Sequence, residues 1–66
     1  MPNTTTPPDI ISALFPFEAN KHLVNDYAAA GYAIFVYPKE GYIIMEGDTT
    51  TIEDAMSVFS GGARAH

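Results

Sequence analysis

The stretch AIFVYPKEGYIIMEG, residues 33–47, holds two apolar runs on either side of a short turn. Pro38 suits the first position of a turn and Gly41 suits a position with positive φ, so we predict a β-hairpin whose four-residue loop is built on a type I turn. This loop sets Tyr37 opposite Tyr42. The other expected cross-strand pairs are Phe35 with Ile44, Ala33 with Glu46, Val36 with Ile43 and Ile34 with Met45.

The two faces of this hairpin differ in character. One face is aliphatic throughout and is expected to join the core: Ile34, Val36, Ile43 and Met45. The other combines aromatic rings, hydroxyl groups and one acid: Ala33, Phe35, Tyr37, Tyr42, Ile44 and Glu46. Tyrosine is common at protein interfaces because its ring can be buried while its hydroxyl finds a hydrogen bond. We therefore expect the tyrosine face to bind another chain, unless the first helix folds back and covers it.

That first helix is predicted from the residues before Pro16. Thr6 is a candidate cap, followed by Pro7, Pro8 and Asp9 as favourable first-turn residues. Its apolar side would consist of Ile10, Ile11 and Leu14. Pro16 should end the helix at Phe15, because the residue before a proline avoids the helical region.

Two further helices flank the hairpin. The helix before the hairpin spans about residues 17–30, with Leu23, Tyr27 and Ala30 facing inward and Gly31 ending it. The helix after the hairpin follows Gly47. Its expected capping box pairs Thr50 with Glu53, and Ile52, Ala55, Met56 and Phe59 supply its apolar side. The predicted fold is α+β, a small single domain of order α-α-β-β-α over residues 9–61, with a polar N-terminal arm at 1–8 and a short tail at 62–66.

Composition limits what such a domain can be. The 66 residues contain no cysteine, 47% are hydrophobic, and 17% are charged, against about 25% in typical domains. A chain of this length buries only about 60% of its unfolded surface, so its core is marginal and oligomerisation or a partner would help to stabilise it. The formal charge of −5 disfavours nucleic acid as a partner. Without a signal-like segment or a long apolar run, we expect a cytoplasmic protein with no membrane contact.

Residues for catalysis or ligand binding are few. His22 and Asp26 are spaced to meet across one helical turn, but no cysteine or suitably placed serine is there to be activated. His66 adds one more imidazole without a metal-binding spacing, and Glu46 and Asp48 form too little of a calcium loop. Gly61 and Gly62 follow a helix, unlike a phosphate-binding loop. We expect no enzyme, no cofactor, no metal site and no small-molecule substrate.

These observations favour a protein-interaction module that binds a protein partner or a second copy of itself. The candidate interface residues are Tyr37, Tyr42, Phe35, Ile44, Glu46, Phe15 and Phe17. In size and chemistry alone, the chain resembles the general class of small phage-encoded inhibitors, including anti-CRISPR proteins and inhibitors of host polymerases. This resemblance would imply inhibition or modulation of a larger host assembly, and it assigns no residue. The alternative is a structural or assembly subunit, such as a homodimer or a small component of a virion or multi-protein complex.

Overall fold

The computed structural model describes residues 10–65. Four strands and two helices follow one another in the order β-α-β-β-α-β. Their bounds are β1 Ile11–Pro16, α1 Phe17–Ala29, β2 Ala33–Tyr37, β3 Tyr42–Gly47, α2 Thr49–Val58 and β4 Ala63–Ala65. The α+β class is therefore confirmed, whereas the α-α-β-β-α order is wrong. The arm at residues 1–8 and the cap expected at Thr6 lie outside the described residues.

The four strands form one antiparallel sheet in the order β2-β3-β1-β4. Strand β3 thus lies between β2 and β1, two strands that helix α1 joins along the chain. This topology is the split β-α-β, or ferredoxin-like, arrangement. Both β3 and β1 are interior strands. Strand β3 is not an edge strand, because β1 pairs along it from Ile11 to Pro16.

The segment Ile11–Pro16 is a strand, where a short helix was predicted. Its burial alternates: Ala13 and Phe15 are fully buried, whereas Leu14 and Pro16 are exposed. This period of two is that of a half-buried strand. The helical reading rested on three apolar residues that fit either period. What decides between the two is pairing with β3, which lies thirty residues further along the chain and leaves no local signal.

The hairpin follows its predicted register in all five cross-strand pairs, from Ala33 opposite Glu46 to Tyr37 opposite Tyr42. Its loop closes with a hydrogen bond of 2.8 Å from the Gly41 N–H to the Tyr37 carbonyl. Gly41 has a φ of 89°, a left-handed conformation that only glycine adopts without strain. Loop length and turn chemistry therefore set this register locally.

Both helices flanking the hairpin are present. Helix α1 ends next to Gly31, whose φ is 100°, and the Tyr32 N–H donates to the Tyr27 carbonyl at 3.0 Å. This is a glycine-terminated helix end, as expected. Helix α2 begins differently from the prediction, because Asp48 rather than Thr50 is its N-cap. The Asp48 carboxylate accepts a hydrogen bond of 2.8 Å from the Thr51 N–H.

The expected C-terminal tail contains strand β4, which pairs with β1. The chain reaches this position through Gly61 and Gly62. Gly61 has a φ of 66°, and a Cβ atom on Gly62 would overlap the Phe15 ring at Cε1. Only a glycine lets the backbone pass so close to that ring. The glycine pair thus turns the chain after the end of α2 and leads it back to the edge of the sheet.

The core lies between one face of the sheet and the two helices. Its buried residues are Ala13, Phe15, Ile43, Met45, Ile52, Ala55 and Phe59. Partly buried side chains surround them, including Ile34 and Val36 from β2 and Leu23 and Tyr27 from α1. The rings of Phe15 and Phe59 lie 4.9 Å apart between centroids, so β1 and the end of α2 meet through aromatic contact.

One buried polar side chain joins the two halves of the domain. Asn20 of α1 is fully buried and donates to the carbonyls of Pro16 at 2.8 Å and Ser60 at 3.0 Å. Its side-chain oxygen accepts from the Ser60 N–H at 2.7 Å. Both ends of the amide are thereby satisfied, which offsets the cost of burying it. Asn20 fastens the start of α1 to the chain just after α2.

Candidate interaction surface on the open face of the sheet

Both helices pack on the same face of the sheet, and among the described residues no element covers the other face. Helix α2 contacts β1 and β3, and α1 packs mainly on β2. Arg64 of β4 also points to the helix side, since it forms an ion pair with Glu53 of α2 at 2.9 Å. We call the opposite side the open face. Strand alternation places on it Ser12, Leu14, Pro16, Ala33, Phe35, Tyr37, Tyr42, Ile44, Glu46 and Ala63.

The middle of the open face is a continuous apolar row across all four strands. Phe35 pairs with Ile44, Ile44 with Leu14, and Leu14 with Ala63. Phe35 is 44% exposed and Leu14 is 42% exposed. Single exposed apolar residues are ordinary on protein surfaces, whereas contiguous ones are typical of binding sites. The row is therefore the feature of this face that most needs an explanation.

Two tyrosines border this row at the hairpin end. The rings of Tyr37 and Tyr42 lie 4.9 Å apart between centroids at 35°, and Tyr37 is 38% exposed. Next to them, Pro16 pairs with Tyr42 on β1. Because the two rings contact each other, each has less conformational freedom than an isolated exposed tyrosine would have.

Charge is sparse on the open face. Among its described residues only Glu46 carries a charge, at the end opposite the tyrosines. The outer sides of the helices carry more charge: Glu18 forms an ion pair with Lys21 at 2.9 Å on α1, and Glu53 and Asp54 are exposed on α2. The outer surface of the helices is thus charged, whereas the open face is mainly apolar with few polar groups.

Five of the seven predicted interface residues lie together on this face: Tyr37, Tyr42, Phe35, Ile44 and Glu46. The other two do not. Phe15 is fully buried on the helix side and has no surface to offer a partner. Phe17, at the start of α1, is partly buried against the core. Phe15 is therefore a core residue of β1, and Phe17 belongs to α1 and lies outside the open face.

Four residues of the open face were missed from the sequence: Ser12, Leu14, Pro16 and Ala63. All four lie on strands β1 and β4, which had been assigned to a helix and a tail. In SALFP the outward Leu14 is as apolar as the inward Ala13 and Phe15, so the sequence of β1 shows no clear alternation. For β4, three residues are too few to show a period.

Other chemistry in the described part of the chain is limited. No group of three or more metal-ligating side chains occurs in that part. An open hollow of about 350 Å³ is lined by the α1–β2 turn, the end of β3 and Thr51, with Glu46 as its charged residue. Asp48 is nearby in sequence but acts as a helix cap. Hydrogen bonds from the backbone and then the side chain of Thr51 hold the pKa of Asp48 below its ordinary value.

Within residues 10–65, neither helix has the length and apolar character needed to cross a membrane. Comparison with protein-family models gives no match to this chain. Comparisons with curated proteins and with solved structures also give none.

Proposed function

We propose that this protein is a non-enzymatic interaction module whose open face docks onto an apolar surface of a protein partner. The observation that carries the proposal is the apolar row of Phe35, Ile44 and Leu14, bordered by the Tyr37–Tyr42 pair. Aromatic residues are enriched at the centres of protein interfaces, and charged residues are depleted there. The open face has both properties.

The chemistry of the face also describes its partner. Because its interior holds no charge, the facing surface should be mainly apolar, with hydrogen-bond acceptors or donors near the tyrosine hydroxyls. Glu46 at one end favours a basic side chain beside it on the partner. In such an arrangement the apolar centre supplies most of the binding energy, and the polar border sets the orientation of the partner.

The biological role that fits these properties is inhibition or modulation of a larger assembly by occupying one of its surfaces. The small, acidic, cysteine-free chain supports this role through its size and chemistry. The second candidate is an assembly subunit, in which the same face is buried permanently against a neighbouring subunit.

Exposed aromatic rings on a four-stranded sheet can also stack on the bases of single-stranded RNA, as in RNA-recognition domains. Such sites add basic side chains that track the phosphates. Here the chain carries a formal charge of −5, and its open face bears an acid and no base among the described residues. Charge therefore favours a protein over a nucleic acid.

The test compares partner capture by the native protein and by a Tyr37→Ala/Tyr42→Ala variant. Affinity purification with mass spectrometry identifies the retained protein, and titration calorimetry with that purified protein measures binding. We expect each tyrosine to contribute about 1 to 2 kcal/mol or more to association, as aromatic hot spots do. The matched control is His22→Ala on the exposed side of α1, which should bind like the native protein.

Circular dichroism must show that the double variant stays folded. Equal affinity of a folded double variant and the native protein would exclude the open face as the binding site. Salt-sensitive capture of RNA in place of a protein would overturn the proposal in favour of nucleic-acid binding.

A further inference from the structure

Strand β2 forms one edge of the sheet, and no described strand pairs with its outer side. We propose that this edge pairs with β2 of a second copy of the chain, antiparallel and centred on Phe35, to give a continuous eight-stranded sheet. The pairing uses backbone groups at the edge rather than the open face. It therefore goes beyond the proposed function and does not depend on it.

The β2 edge lacks the features that usually prevent pairing. Its five residues, AIFVY, include no charge, proline or glycine. Natural edge strands are commonly protected by an inward-pointing charge, a proline, a bulge or very short length. The other edge of this sheet, β4, is only three residues long and includes Arg64. Protection is thus present at one edge and absent at the other.

The side chains of β2 suit pairing with themselves. With Phe35 on the two-fold axis, Ala33 lies opposite the partner's Tyr37, and Ile34 lies opposite the partner's Val36. On the open face each bulky tyrosine then faces a small alanine, and on the helix side two β-branched residues meet. Cross-strand pairs of this kind stabilise antiparallel sheets. An arbitrary partner strand would have no reason to match this order, whereas a second copy matches it twice.

Charge supplies an independent argument for a second copy. Of the three basic residues, Lys21 and Arg64 form ion pairs with Glu18 and Glu53. Within residues 10–65 no ion pair involves Lys39, which lies in the loop just after β2. Continuing the same register places Lys39 opposite the partner's Gly31, directly after the C-terminus of α1.

That end of α1 is a suitable site for a cation. Its last turn contains Asp26 and no basic residue. The negative end of the helix dipole and this carboxylate both attract a positive charge. The two-fold axis would repeat the contact, so that Lys39 of each copy approaches α1 of the other. Two chains of net charge −5 thereby meet where each brings the one basic side chain that forms no ion pair within residues 10–65.

The first test measures mass by light scattering across protein concentrations up to about 1 mM, because an edge pair buries less than a standard interface of about 1,600 Å². We expect the mass to rise from one chain to two. Phe35→Lys should abolish this rise, since two like charges would then lie side by side at the axis. Leu14→Lys is the matched control, on the same row and nearly as exposed but on interior strand β1, and should dimerise normally.

The second test uses the absence of native cysteine. Residues directly opposite in an antiparallel pair have Cα atoms about 4.5–5.5 Å apart, within the range that a disulfide spans. Phe35→Cys, incubated with oxidised glutathione, should form a covalent dimer as two thiols give one disulfide and glutathione is reduced. Leu14→Cys should give a much smaller dimer yield under the same conditions.

The outcomes are distinct. A native protein that remains monomeric at every concentration overturns the proposal. Dimerisation lost equally in Phe35→Lys and Leu14→Lys assigns the contact to the open face and also overturns it. Preferential loss with Phe35→Lys, together with preferential crosslinking of Phe35→Cys, supports the edge pairing. Partner capture by the open face is measured separately, and Leu14→Lys should weaken that capture while leaving the dimer intact.

Discussion

The two faces of the sheet both carry large apolar side chains, but they differ in burial. On the helix side, Phe15 and Ile43 are fully buried. On the open face, Phe35 is 44% exposed and Leu14 is 42% exposed. The comparison teaches that apolar character does not by itself separate buried from exposed positions in so small a domain. What separates them is strand alternation together with the single layer of helices that 66 residues can supply.

The largest expected difference between the faces involves two neighbouring isoleucines. Ile43 is fully buried, and Ile44 is half-buried on the open face. We expect Ile43→Ala to lower the free energy of unfolding by about 2 to 5 kcal/mol, because it leaves a cavity. Ile44→Ala should cost clearly less, since no packed layer surrounds it. Urea unfolding of both variants measures the difference.

A domain of this size can unfold completely on losing that much stability. Ile43→Val therefore accompanies the first variant, with an expected cost of about 0.5 to 1.5 kcal/mol. If Ile44→Ala is as costly as Ile43→Ala, the open face is covered in solution and the contrast between the faces fails.

A smaller effect is expected where β4 approaches the covered face. In Gly62→Ala the new methyl group would press against the Phe15 ring. We expect a loss of about 1 to 3 kcal/mol, as overpacking in cores typically causes. The measurement is thermal or urea unfolding of the purified variant.

The control for this prediction is a double-mutant cycle. Phe15→Leu removes the ring that the methyl group would meet, so Gly62→Ala should cost less in that background. The two residues are in contact and should couple by about 0.5 kcal/mol or more. Strictly additive effects would show that Gly62 is required for another reason.

The smallest effect is a pH dependence at the start of α2. The pKa of Asp48 is lowered in the folded protein by its hydrogen bonds to Thr51. Its ionised form therefore adds stability that is present above the unfolded-state pKa, about 3.9. This contribution declines as the pH falls through the folded pKa. Asp48→Asn keeps a capping side chain but cannot titrate.

The stability difference between the native protein and Asp48→Asn should hence be constant near neutral pH and shrink below about pH 4. Urea unfolding at several pH values measures it, and the other acids cancel because both proteins contain them. A difference that stays unchanged in acid would mean that the Asp48 carboxylate contributes no more as an anion than as an acid.

Local signals account for the parts of this fold that were predictable from the sequence. Gly31 ends α1, and the loop from Pro38 to Gly41 sets the hairpin register, each through residues close together in the chain. The other two strands, β1 and β4, depend on pairing between segments that are distant in the chain. The apolar residues before Pro16 fit a helix as well as a strand, and three residues at β4 carry no period.

The candidate site likewise has a part that was predictable from the sequence and a part that was not. The hairpin register alone places Tyr37, Tyr42 and Phe35 on one face, so this part was predictable. The contribution of Leu14 became visible only with β1 in place. The same error put Phe15 at the surface, because β1 was interpreted as a helix, and it left Leu14 out of the open face.

The Asn20 amide described above has a consequence for how the domain opens. Its bonds to Ser60 span forty positions of the chain, so they exist only while the first and second halves are docked together. Brief fraying of either half cannot free the Ser60 amide proton without also exposing the buried Asn20. Deuterium uptake at Ser60 should therefore report opening of the entire domain, although this amide sits in a surface turn where rapid exchange would otherwise be usual.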